Sequence, residues 1–131
     1  MGVALGSIDG RFRPLLRLER PGGIDDVLAL LDTGFNGELL CDRIVASHLG
    51  VVANGQLERV ELAGGIEREA QSGRLTILWL GKVRQVQVLV SVDEPRPKAD
   101  GEPIALVGGA LLAPSLVLLD YGAGTIEIEA Q

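Results

Sequence analysis

Residues 82–92 constrain the fold most: Val83, Val86, Val88 and Val90 stand among Arg and Gln with the two-residue period of a half-buried strand. The extended run at residues 67–80 supplies a neighbour. Residues 57–62 precede it across Gly64-Gly65, which predicts a hairpin with a glycine tip. Near the N-terminus, residues 3–8 and 12–18 flank Asp9-Gly10, and this dipeptide predicts a tight turn closing an opening hairpin. Pro21-Gly22-Gly23 ends that hairpin and Ile24 starts a third strand running to Leu31. Residues 104–107 lead through Gly108-Gly109 into a single helical turn at 110–112, and strands follow at 116–119 and 125–128. One short helix is expected after Asp42, which caps it, with Ile44, Val45 and Leu49 on one side and Gly50 past its end. Residues 93–101 lose all periodicity and read as an exposed loop inside one domain spanning 1–131.

Composition agrees with an all-β chain. Hydrophobic residues make up 47% and aromatics 3%, so the core must be built from Val, Leu, Ile and Ala, with 18 glycines punctuating short strands. A formal charge of −6 with few aromatics removes the basic footprint and stacking platforms that nucleic-acid binding uses. The single cysteine, Cys41, permits no intrachain disulfide, and a cytoplasmic location is expected. Ser7, Asp9 and Gly10 interrupt the N-terminus where a signal peptide needs an apolar stretch. No apolar run approaches the roughly 20 residues of a bilayer span, so no membrane partner is expected.

Chemistry concentrates in Leu30-Leu31-Asp32-Thr33-Gly34-Phe35-Asn36-Gly37, where an apolar strand runs into a carboxylate and then into glycines that let backbone come close. This stretch precedes the glycine-tipped hairpin by about thirty residues, and Ala105-Leu106-Val107-Gly108-Gly109-Ala110-Leu111-Leu112 follows. Together the three resemble the retroviral-type (retropepsin-like) aspartic proteases, most closely their single-lobe bacterial and archaeal branch, over residues 24–129. The resemblance implies a single-lobe acid-protease barrel with one or two short helices, acting as a homodimer on polypeptide substrate without cofactor or metal. Two carboxylates are needed and the chain carries one such loop, so each protomer contributes its Asp32.

By the same resemblance, Thr33 braces the paired loops and Gly34 offers a backbone carbonyl and space for substrate. Ala63, Gly64, Gly65 and Ile66 form the flap tip, Phe35 lines a subsite, and Gly108 packs behind the catalytic loop. Retroviral enzymes carry an Asp at the place of Asn36 and an Arg at the place of Gly109, and these two form an ion pair absent from this sequence. A non-hydrolytic peptide-binding or dimerisation module on the same fold is the alternative reading, and a monomeric barrel with an inert Asp32 is a third.

The remaining reactive residue types have plainer readings. Cys41 and His48 are seven residues apart, about 10 Å along a helix, too far for a thiolate–imidazole pair. Gly122-Ala123-Gly124 precedes a strand rather than a helix and reads as a turn. Glu58, Arg59, Glu61, Glu67, Arg68 and Glu69 read as a solvated hairpin face, and Trp79 as a core or dimer contact.

Overall fold

The computed structural model describes residues 3–23 and 25–131. Strands β1 (Val3–Ile8) and β2 (Pro14–Leu18) form the opening hairpin, and β3 (Val27–Leu31) follows. Next, β4 (Leu39–Asp42) runs into helix α1 (Arg43–His48), and β5 (Leu57–Glu61), β6 (Glu67–Trp79) and β7 (Lys82–Ser91) make a meander. Last come β8 (Ala105–Val107), the short helix α2 (Gly109–Leu112), and the hairpin of β9 (Ser115–Asp120) and β10 (Thr125–Ala130). The described residues are thus mostly β, in one mixed sheet ordered β5-β6-β7-β4-β8-β3-β2-β1-β10-β9 with two short helices. The sheet curls back on itself, for Glu19 just past β2 bridges Leu78 of β6 and accepts its backbone N–H at 2.9 Å.

Period-two patterning decides which faces turn inward. Val86, Val88 and Val90 of β7 are buried, as are Val27, Ala29 and Leu31 of β3 and Ile126 and Ile128 of β10. Val83 is out of phase with the other three valines and points to solvent, 66% exposed. The helices cover the same core with Val45 and Ala46 from α1 and Leu111 and Leu112 from α2, and Trp79 is part of it. A smaller second cluster joins Phe35, Val60, Ala70 and Leu89. No helix among the described residues is long and apolar enough to cross a membrane.

Several local expectations change in the folded chain. The Asp9-Gly10 turn widens to a loop over residues 9–13, because the Asp9 carboxylate accepts the backbone N–H groups of Arg11 and Arg13, each at 2.9 Å, and the Arg13 guanidinium. That arrangement holds Phe12 at φ 61 with its ring exposed. The third strand begins at Val27; the expected start at Ile24 lies outside the described residues. Strand β4, unassigned by periodicity, slots between β7 and β8, parallel to the first and antiparallel to the second. Helix α1 forms as its caps require, Asp42 Oδ1 accepting the N–H of Val45 at 2.8 Å and Gly50 turning the chain at φ 75.

Candidate functional site

Two parallel strands bring separate parts of the chain to one end of the sheet. Leu31 of β3 pairs with Val107 of β8, so Asp32 and Gly108 emerge side by side. The Asp32 N–H donates to Val107 O at 2.8 Å and extends the ladder by one bond. Asp32 then turns the chain: its Oδ1 accepts the N–H of Gly34 at 3.0 Å and its carbonyl accepts that of Phe35 at 3.1 Å. The carboxylate is half-buried, while Thr33 and Gly34 are exposed.

Behind this turn, residues 35–38 wrap the start of α2. Gly108 donates to Glu38 O at 3.0 Å, Gly109 to Phe35 O at 2.8 Å and Ala110 to Gly37 O at 3.2 Å. The approach is close enough that a Cβ on Gly108 would fall against the carbonyl oxygen of Gly37 and 2.7 Å from that of Phe35. Glycine is therefore a steric necessity at 108, and the position expected to pack behind the loop does so.

The β5–β6 hairpin lies over the loop. Its tip is a tight turn at Ala63–Gly65 with Gly64 and Gly65 at φ 80 and 73, closed by the Leu62 N–H donating to Ile66 O at 2.8 Å. Ala63 sits on Gly34, where a Cβ would come within 2.7 Å of the Ala63 Cα. Asn36 locks the two parts together, its N–H donating to Glu61 O at 3.2 Å and its Oδ1 accepting the Glu61 N–H at 3.3 Å. The structure thus brings Asp32, Thr33, Gly34, Ala63, Gly64, Gly65 and Ile66 to one place, with Gly108 behind them.

Phe35 corrects the sequence reading. Its ring is fully buried against Val60, Ala70 and Leu89, so it anchors the loop to the hairpin and meets no groove. An aromatic ring next to this turn is stabilised by leaving water for an apolar cluster.

Asn36, noted from sequence only for lacking an ionic partner, and Glu38 with Arg84, which sequence reasoning passed over, support the loop. Asn36 makes the backbone contacts just described. Glu38, two residues on, accepts the Arg84 guanidinium at 2.6 Å and the Gln87 N–H at 3.0 Å, tying the loop to β7. Glu38 and Arg84 are 46 residues apart, and no local pattern links them.

Other reactive groups are set aside by their surroundings. Burial pushes the Cys41 thiol up to about 12, and the neighbouring Asp42 carboxylate adds to the rise, so no thiolate forms near neutrality. Among the described residues no three His, Cys, Asp or Glu side chains gather as a metal site requires. Clefts of about 690 and 460 Å³ border Trp79 and Leu80, and Asp32 lines neither.

No family model matches the sequence, and no curated protein matches it. Among solved structures the fold is similar to that of basic 7S globulin from soybean, with a TM-score of 0.52 and 13% identity over 99% of this chain and 50% of that one. The chain spans about half the length of that protein, and at such identity the likeness concerns the fold alone.

Proposed function

We propose that this chain is a retropepsin-like aspartic endopeptidase of one lobe, acting as a homodimer in which the two Asp32 carboxylates face each other. The observation that carries the reading is the convergence at the end of β3. A carboxylate with no cation beside it among the described residues sits on a turn fixed from behind by Gly108 and roofed by a glycine-tipped hairpin. A paired carboxylate is needed because one must take the proton of the attacking water while the other polarises the scissile carbonyl and later protonates the amine. Two carboxylates brought that close share one proton, which supplies both forms at once.

The hairpin tip supplies the roof. Ala63 resting on Gly34 closes the loop, and an extended polypeptide enters when the tip lifts about Gly64 and Gly65, whose backbones then offer it hydrogen bonds. Asn36 and Glu38 take over the bracing that an Asp–Arg pair performs in retroviral enzymes. The alternative, a peptide-binding module that does not hydrolyse, is favoured by one observation: Asn36 and Ala63 together hold the roof down on the loop.

Hydrolysis of a mixed peptide library by the wild type and by Asp32→Asn, with molecular mass recorded on the same samples, decides between them. Cleavage by a dimer, lost in Asp32→Asn, is the expected result. A well-folded dimer that binds peptides without cutting them overturns hydrolysis in favour of the module, and a monomer leaves Asp32 without its partner.

A further inference from the structure

The outer face of the sheet beyond β3 carries a row of side chains with an unusual order. Register places Leu118 of β9 beside Glu127 of β10, Glu127 beside Leu5 of β1, and Arg17 of β2 beside Leu28 of β3. Leu5 and Arg17 share the wall of one groove. Read across the strands, the row is Leu118, Glu127, Leu5, Arg17, Leu28. Their neighbours on the opposite face, Ile126, Ile128, Leu16 and Leu18, are buried, so the row faces outward. Leu5 is 67% and Leu118 52% exposed, and Leu116 on the same side is 46% exposed. A groove of about 340 Å³ lined by Leu5, Ser7, Leu15, Arg17, Leu28 and Gly101 opens at one end of the row, opposite the protruding leucines of β9. Among the described residues neither Arg17 nor Glu127 belongs to an ion pair.

We infer that this face binds a second copy of the chain, the row packing against itself in reverse across a two-fold axis that runs along β1 over Leu5. Reversal sets Leu5 on Leu5, Glu127 on Arg17 of the second copy, Arg17 on Glu127 of the second copy, and Leu118 into the groove beside Leu28. Opposite charges at mirrored places and a knob matched to a hole are what an isologous interface demands, and an unrelated partner has no cause to match both ends. Sheets stacked face to face lie about 10 Å apart, the distance such side chains fill. Since β1 and β3 are two strands apart, the axis leaves the two Asp32 residues roughly 20 Å from each other. The contact is therefore additional to the catalytic pairing proposed above, and a chain making both is a tetramer.

Sedimentation velocity over a dilution series tests it. The wild type self-associates, and Leu118→Lys or Arg17→Glu each weakens that association about tenfold or more while the melting temperature stays near wild type. Combining Arg17→Glu with Glu127→Arg restores it. Restoration by the double variant distinguishes a matched charge pair from general loss of folding. A wild type whose association is unchanged by Leu118→Lys and by Arg17→Glu, or that stays a monomer, or a double variant no better than Arg17→Glu alone, overturns the inference. Asp32→Asn leaves this association unchanged, so loss of cleavage in that variant bears on the catalytic reading alone.

Discussion

Asp32 and Asp42 look alike in sequence, each placed directly after an apolar strand, and the folded chain treats them in opposite ways. Asp42 ends β4, and its side chain is 13% exposed. One carboxylate oxygen caps α1 through the Val45 N–H, and the other holds the Lys98 ammonium. Partial burial raises the Asp42 carboxyl, but Lys98 and the N–H groups of Val45 and Ile44 outweigh it, and the group titrates below its ordinary value. Asp32 lies just past β3, half-buried, and among the described residues its carboxylate receives one hydrogen bond, from Gly34 within its own turn. A strand-end carboxylate whose hydrogen-bonding capacity is consumed is a structural part. One whose capacity is left open is a candidate for chemistry.

The sharpest way to break this contrast is to neutralise each acid. Asp32→Asn is expected to lower peptide cleavage on the order of 10³-fold or more with the melting temperature unchanged. If cleavage persists, or if Asp32→Asn melts much earlier than wild type, the two acids are not different in kind. The turn that holds Asp32 is tested through Gly108→Ala, where a methyl group has no space against the Gly37 and Phe35 carbonyls. A loss of about 2–3 kcal/mol in chemical denaturation is expected.

Asp42→Ala removes the helix cap and strands Lys98, so a loss of about 1–2 kcal/mol is expected, with cleavage per folded molecule retained. The smallest effect isolates the charge. Asp42→Asn keeps a capping side chain but loses the ion pair with Lys98. Because the folded carboxyl is held below 3.8, its contribution is present in full above that value and disappears as pH falls through the lower folded one. Melting curves should therefore show wild type ahead of Asp42→Asn at neutral pH, with the gap closing below about pH 4. A gap that stays constant into acid shows that the charge contributes nothing.

Much of the fold was legible because it is locally written. The valines at 86, 88 and 90 specify β7, Gly64-Gly65 specifies the hairpin tip, and the Asp42 cap with Gly50 specifies α1. At the site, the apolar strand running into Asp32 and the glycines after it were legible locally, whereas the place of Gly108 behind that turn was expected only from the resemblance to retropepsin-like proteases. Phe35 was misread, because its burial depends on Val60, Ala70 and Leu89, which lie 25 to 54 residues away.

The sequence by itself determined a β-rich chain with an acid at the end of an apolar strand, since side-chain period, glycine placement and capping act between near neighbours. Tertiary structure alone decided that β4 lies between β7 and β8, that β3 and β8 run in parallel, and that Asn36 fastens the roof through Glu61. Parallel pairing needs a long crossover, and its register is set by which buried faces fit once the chain has folded. No short stretch of sequence contains that information, and it is what separates the fate of Asp32 from that of Asp42.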